Sequence, residues 1–503
     1  MDTLETIRQF RSMKEPISTV WHVDDQTAVG TLNWRAGKPV LKLVIELDLP
    51  KIIGMKKLEH PFLTATEPPR EPTIVAHLSD FGLVTLERCF RFSEPHSENF
   101  QHGSAFCTLY FQPTRIWLGN PGENDTKPIL SVNLMDSRLC GFFQLPGFDS
   151  YRASPDEHPE LFEVLGNPEE LWSFKSDRIE PIRLGKTGFK LCRATTVSRG
   201  FSATTGHSYN SASLLTLEPP PDTDRETCED IVYQLQNLLT VLSFEDFAFE
   251  ARTFNSETHG PSTLAWELGN CGTSFEPPMS HQILADFSDT KVLQTACDHW
   301  FDASEIVRLS RWLFCKAVRE TDDGIARFIA VAQALEVLAR ELSPTAKLVS
   351  RSERKDAVRL IQVALQENKI NAVYAKRIVE LVQNSNATTY ANALREMMVP
   401  VEHLILPIAK ISYPDKVTSL EEFAKLISHT RNAVVHMTTE NREELEQAFA
   451  RVNKLSLLIG FCYAVIQMDM LGLSTDQAHN FLVNNRNLRH GLPNNFLKTL
   501  NSR

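Results

Sequence analysis

Arg431, Asn432 and His436 stand close together in the run Arg431-Asn432-Ala433-Val434-Val435-His436. These three side-chain types are sufficient to cut RNA. RNA carries its own nucleophile, the 2′-hydroxyl. A His with a pKa near neutrality can take that proton or protonate the leaving 5′-oxygen. Arg, planar and always charged, can grip the scissile phosphate and stabilise the extra charge of the pentacoordinate state. Asn can orient the imidazole or the phosphate by hydrogen bond. This chemistry needs no metal or cofactor, and its products are a 2′,3′-cyclic phosphate and a 5′-hydroxyl.

The residues around the run predict a helix that would carry it. Thr418 and Ser419 offer N-caps, and Glu421 or Glu422 follows at capping-box spacing. Leu420, Phe423, Ile427 and Val434 form an apolar stripe, and Thr438 to Glu440 ends the helix, with Asn441 and Glu444 capping the next. At about 100° per residue, Asn432 and His436 share one face, while Arg431 lies about 140° round from His436, beside the stripe. One isolated helix therefore does not bring the Arg and His heads together easily. The geometry favours a composite site, in which the same helix of a second copy faces the first across a two-fold axis. His429, just upstream, reads as a surface residue. An Arg and a His at this spacing also arise by chance, so the weight comes from the surroundings.

At 503 residues the chain is long enough for two or three domains. The formal charge of −11 argues at first against a nucleic-acid partner. It is unevenly spread. Residues 303–503 hold 26 Lys and Arg against 21 Asp and Glu, a net of +5, leaving 26 against 42, or −16, for residues 1–302. Nine cysteines, with no C-x-x-C pair, read as reduced, mostly buried thiols of a cytoplasmic protein. Cys297-Asp298-His299 is a short cluster, well below the four ligands a zinc site needs. The polar, charged first sixteen residues lack the apolar core of a signal peptide. The longest apolar stretch, Leu455 to Leu473, is interrupted by Gln467 and Asp469 and reads as a core helix rather than a membrane span.

The periodicity divides the chain near residue 300. Residues 1–300 read as β-rich: Val40 to Leu47, Thr73 to Leu78, Leu83 to Phe92, Ala105 to Leu118, Ile129 to Leu134 and Gly188 to Thr196 alternate, with turns at Ala36-Gly37-Lys38-Pro39 and Ser79-Asp80-Phe81-Gly82. Glu67 to Pro72 and Glu218 to Asp222 are loop breakers. One helix interrupts the strands, Cys228 to Leu242, with Ile231, Leu235, Leu238 and Leu242 on one stripe. Residues 301–503 turn to a 3.6 period that begins with Ile306, Leu309, Leu313 and Val318. It continues through Phe328, Val331, Leu335, Leu338 and Leu342; Val358, Ile361 and Leu365; Val373, Ile378 and Leu381; Leu420 to Met437; and Leu445 to Leu473. The expected class is α+β multidomain: a β-rich N-terminal domain followed by an all-α bundle. Asp80-Phe81-Gly82 spells a kinase metal triplet without its catalytic loop and reads as a turn. Gly185-Lys186-Thr187 lacks the upstream glycine of a P-loop and reads the same way.

With these residues in view, the C-terminal part resembles the HEPN domains of the ApeA-like group. The likeness rests on Arg431-Asn432-x-x-x-His436 and on the segment from Arg327 to Leu338, which looks like the family's F-x-x-x-x-x-A-L-E-x-L element. The acidic, strand-rich region before it is similar to the N-terminal domain of bacterial anti-phage ApeA proteins. The resemblance implies a homodimeric defence ribonuclease that arrests growth of an infected cell by cutting RNA, with tRNA the expected target. It also implies an N-terminal sensing or regulatory domain answering a phage-derived trigger. Arg431, Asn432 and His436 carry over as site residues. Glu336 is a further candidate, read first as a solvated or helix-pairing side chain. Two other readings stay open: a non-catalytic HEPN adaptor, and a β-domain binding protein whose helices only dimerise.

Overall fold

The computed structural model describes residues 3–13, 15–23, 26–35, 38–48, 73–91, 96–101, 104–121, 128–136, 138–139, 148–151, 171–174, 180–202, 206–244, 246–256, 260–267, 289–320, 323–342, 351–368, 371, 374–379, 389–436 and 442–484. The Ala36-Gly37 turn, the Glu67 to Pro72 breaker, Val373, Leu381 and the expected helix end from Thr438 to Asn441 lie outside these residues. Two compact units emerge. The first comprises Met1–Gln236, Phe247–Pro278 and Asp286–Asp298; the second comprises Asn237–Asp246, Met279–Ala285 and His299–Arg503.

In the first unit, helix α1 (Thr3–Ser12) precedes β1 (Ile17–Val23), β2 (Gln26–Arg35), β3 (Lys38–Asp48), β4 (Ile74–Leu78), β5 (Gly82–Glu87), β6 (Phe90–Arg91), β7 (His96–Gln101), β8 (Ser104–Gln112), β9 (Arg115–Leu118) and β10 (Ile129–Met135). Next come β11 (Phe148–Tyr151), β12 (Leu171–Phe174), β13 (Ile182–Arg183), β14 (Lys190–Ser202), β15 (Gly206–Glu218), helix α2 (Arg225–Ser243), whose residues from Asn237 belong to the second unit, β16 (Ala251–Ser256) and β17 (Gly260–Glu267). Fifteen strands pair into one sheet along the path β13-β14-β15-β10-β16-β17-β9-β5-β4-β1-β2-β3-β8-β6, with β7 also on β8, while β11 pairs β12 apart from it. The alternation read in the sequence is the alternation of burial: Ile74, Ala76 and Leu78 of β4 are buried, as are Leu41 and Leu43 on either side of exposed Lys42 in β3. Ser79-Asp80-Phe81 joins β4 to β5, and Gly82 closes that turn at φ +69°, a conformation glycine adopts without cost. Ile7 and Phe10 place the apolar face of α1 in the same core as Trp21, Leu41, Val84 and Ile116.

The sheet and the first turns of α2 also hold a charged network. Arg115 bonds Glu229 at 2.7 Å and Glu267 at 2.8 Å. Arg252 bonds Glu267 at 2.6 Å, and Arg225 bonds Glu87 at 2.9 Å. Trp117 Nε1 donates to the other oxygen of Glu87 at 2.8 Å. Each buried carboxylate thus has a guanidinium, which offsets the cost of leaving water. Burial alone would raise the Glu267 pKa, but Arg252 and Arg115 outweigh it and hold the carboxyl at about 2, against an ordinary 4.5.

The second unit is helical: α3 (Thr290–Phe301), α4 (Glu305–Glu320), α5 (Gly324–Leu342), α6 (Arg351–Glu367), α7 (Tyr390–Met398), a 3-10 turn (Val399–Val401), α8 (Glu402–Ser412), α9 (Leu420–His436), α10 (Arg442–Met470) and α11 (Thr475–Asn484). Of α3, the last residues from His299 belong to this unit. Helix α5 is the hub, packing against α4, α7, α9 and α10. Phe328, Val331, Leu335 and Leu338 are buried as the period predicts, with Ala332, Ala334 and Ala339 between them, while Leu342 is exposed. By length and composition α10 could cross a membrane, but 67% of its most apolar window is buried in the fold, the pattern of a core helix.

Helix α4 departs from the sequence expectation. Ile306 and Leu309 are 46% and 50% exposed, and the buried face is Val307, Ser310, Arg311, Phe314 and Cys315. Ser310 hydrogen-bonds the Ala334 carbonyl at 2.7 Å and the Tyr463 hydroxyl at 2.9 Å. Arg311 donates to Gln467 and to the Trp300 carbonyl, each at 2.8 Å, with its guanidinium 4.0 Å from the centroid of the Trp300 ring. Burial lowers that guanidinium to about 10. Satisfied polar groups therefore occupy the face that an apolar count would assign to the rim.

Phe244, at φ 54°, puts its ring 4.4 Å from that of Phe461 and 5.9 Å from that of Phe314. A Cβ on Gly460 would sit 2.5 Å from the tip of that ring. Because the ring is held by two aromatic neighbours, Gly460→Ala should destabilise the helical unit by about 1–3 kcal/mol, measured by urea denaturation. A wild-type midpoint would show that the ring can yield. The Glu267 network gives a second expectation. Its folded pKa lies below its unfolded one, so its stabilisation is fully present above about pH 4.5 and lost as pH falls towards 2. Glu267→Gln should cost about 3 kcal/mol at pH 6 and flatten the loss of stability between pH 4.5 and 2.

Candidate active site

Helix α9 starts where its cap dictates. The Glu422 backbone N–H donates to Ser419 Oγ at 3.3 Å, and the Ser419 N–H donates back to Glu422 Oε2 at 3.2 Å, the reciprocal bonds of a capping box. The Thr418 N–H and hydroxyl both reach the same Oε2 at 2.6 Å. From this fixed start the stripe is buried as expected: Leu420, Phe423, Ile427 and Val434 are all under 5% exposed. His429 is exposed.

The phase that buries Ile427 and Val434 sets the place of the polar residues. Arg431 is half-buried beside the stripe and Asn432 is exposed. Arg431 Nη2 donates to Glu336 Oε2 of α5 at 2.7 Å, and its Nη1 donates to Asn432 Oδ1 at 3.1 Å. Its guanidinium carbon is 6.0 Å from the centroid of the Tyr390 ring, at the outer limit of a cation–π contact. The Tyr390 hydroxyl donates to the Ala332 carbonyl at 3.0 Å, fastening the start of α7 to α5. Burial first, and then Glu336, raise the Tyr390 pKa well above its ordinary value, so the hydroxyl stays a neutral donor. Thr389 caps α7 by accepting from the Asn392 N–H at 3.3 Å. Three helices thus converge on one guanidinium.

Arg431 and Asn432 are therefore brought together, with Glu336. His436 is the last residue of α9, one turn beyond Asn432 on the same face; its side chain lies outside the described residues. Glu336 does more than pair along its own helix, since its second oxygen crosses to α9. Tyr390 was not singled out by sequence; the available signal was Thr389, a cap residue directly before it. Cys297 is fully buried, its thiol pushed up to about 12 by burial, while His299 is exposed. Among the described residues no cluster of three His, Cys, Asp or Glu is placed to hold a metal ion.

Arg-Asn-x-x-x-His thus stands on one capped helix of a helical bundle. In the comparison with known families, residues 329–477 match the family model described as Apea-like HEPN. That span runs from within α5 to the start of α11 and contains Glu336, Tyr390, Arg431, Asn432 and His436. No curated protein and no solved structure matches the chain. HEPN domains are in general ribonucleases, and the β-rich region ahead of the match is consistent with the ApeA-type arrangement associated with anti-phage defence.

The cap is the local determinant of where Arg431 falls. Ser419→Ala should cost about 1 kcal/mol in urea denaturation of the helical unit. Hydrogen exchange should rise most in the first turn of α9. No change at those amides would mean that packing alone sets the helix start.

Proposed function

We propose that the chain is a metal-independent endoribonuclease of bacterial anti-phage defence, acting in the cytoplasm. Arg431, Asn432 and His436 form its active site, completed by the same helix of a second copy in a homodimer. The observation that carries this reading is a guanidinium held on the rim of a capped helix, one turn and a residue before a His, inside the segment that matches Apea-like HEPN. The Arg grips the scissile phosphate and stabilises its transition-state charge. The His moves the proton of the 2′-hydroxyl or of the leaving 5′-oxygen, and two His across a two-fold axis supply both roles. Asn432 steadies the Arg431 head through its Oδ1.

We take tRNA as the substrate and growth arrest of the infected cell as the outcome, both on the strength of the resemblance. Residues 1–300 act as the sensing and regulatory part, answering a phage-derived trigger, and residues 301–503 as the nuclease part. The charge split of −16 against +5 supports this division, since an acidic region repels RNA and a basic one attracts it.

In the full-length protein, His436→Ala should abolish RNA cleavage while the unfolding midpoint stays at the wild-type value. EDTA should leave the wild-type rate unchanged. Sequencing of RNA ends after expression should show 5′-hydroxyl termini that are missing in the variant. Cleavage by His436→Ala at the wild-type rate, or its loss in EDTA, overturns the proposal and favours a HEPN adaptor or a metal-dependent chemistry.

A further inference from the structure

We infer that Arg340 is a second phosphate contact of this site, and that Glu336 is the positioning residue that holds Arg340 and Arg431 side by side. The inference rests on the ribonuclease reading above and deepens it. Glu336 and Arg340 lie one turn apart on α5. Glu336 Oε1 accepts from Arg340 Nη2 at 2.6 Å and from its Nε at 3.2 Å. Glu336 Oε2 accepts from Arg431 Nη2 of α9 at 2.7 Å. One carboxylate therefore bridges two guanidiniums on two helices.

The simpler account is an ordinary pair along a helix surface, worth little. Two observations go beyond it. The Glu336 side chain is only 16% exposed, and its other oxygen is committed to Arg431, itself 24% exposed. A surface pair needs neither. The cluster also carries two positive charges against one negative, a net of +1, at the place where the proposed substrate brings phosphates. Two cations sharing one carboxylate repel each other, and a phosphate relieves that repulsion. Each guanidinium has five N–H donors, and the contacts above use two on each. Donors remain on both for phosphate oxygens, which Arg binds in bidentate fashion. Arg340, 58% exposed, stands on the solvent side, and Arg431 stands inside it. The order fits an RNA backbone entering past Arg340, with the scissile phosphate at Arg431 and a neighbouring phosphate at Arg340.

The two residues should fail in different ways. Arg340 binds and takes no part in bond breaking. Glu336 fixes the Arg431 head, so its loss should spare binding and slow the chemistry.

The test uses full-length protein, a cleavable RNA, and a 2′-O-methyl RNA of the same sequence, which lacks the nucleophile. Fluorescence anisotropy follows binding of the latter across NaCl concentrations. Arg340→Ala should raise Kd and KM about tenfold, leave kcat within about twofold, and lower the salt slope by about one. Arg340→Lys should restore the slope. Glu336→Gln should bind the 2′-O-methyl RNA at least as tightly as wild type but lose about a hundredfold in kcat, the cost of a misplaced group. Wild-type Kd, KM and slope in Arg340→Ala, or wild-type kcat in Glu336→Gln, overturn the inference. If Glu336→Gln fails to fold, the exposed Arg340 carries the test through both of its variants. Absence of cleavage by the wild-type protein sinks the ribonuclease reading instead. Binding of the 2′-O-methyl RNA still decides the role of Arg340 in that case.

Discussion

The bond between Arg431 and Glu336 joins the proposed site to the core of the helical unit. Glu336 stands on α5, the helix against which α4, α7, α9 and α10 all pack. Arg431 stands on α9 beside the stripe buried through Phe423, Ile427 and Val434. The guanidinium is therefore placed by two helices whose positions the core sets. Long Arg side chains lose considerable rotamer freedom when fixed. Here a carboxylate, a neighbouring amide oxygen and an aromatic ring share that task.

Buried guanidiniums are held here in two ways. In the sheet unit, Arg115, Arg225 and Arg252 are matched by Glu87, Glu229 and Glu267, three charges of each sign. A network of that kind stiffens a fold and offers an incoming anion nothing. In the helical unit, Arg311 is buried on an amide oxygen, a carbonyl and the Trp300 ring, which satisfy its donors without neutralising it. At the rim, Glu336 answers two guanidiniums at once. Surplus positive charge thus sits where a polyanion can reach it, in the part of the chain with a net of +5.

Much of this was legible in the sequence, for reasons that differ by element. Strand β3 was readable because Leu41, Lys42 and Leu43 alternate at the period of the pleat. The turn before β5 was readable because Gly82 stands where φ must be positive. The start and stripe of α9 were readable because a capping box and an apolar face are both local patterns. Helix α4 was misread, since its buried side includes Ser310 and Arg311, whose partners Tyr463 and Gln467 come from far along the chain. The bridge from Glu336 to Arg431 was half legible. Its short arm to Arg340 is an i,i+4 spacing, and its long arm spans 95 residues. Tyr390 was illegible for the same reason, because its role depends on contacts with Ala332 and Arg431 that no local pattern announces.

The angular relation between Arg431 and His436 sharpens in the structure. Arg431 is drawn towards α5 by Glu336, on the buried side of the rim, while Asn432 faces solvent. The backbone position of His436 follows that of Asn432 by one turn of α9. A single copy therefore commits its guanidinium inward, towards α5. Asn432 touches the Arg431 head and stands one turn before position 436 on α9. A phosphate reached by both Arg431 and a His must sit over Asn432, or receive the His from a second helix. The first arrangement stretches one copy across its own helix surface, while the second only requires two such rims to face each other. The inward pull of Glu336 on Arg431 is the contact that supports the two-copy cleft proposed above.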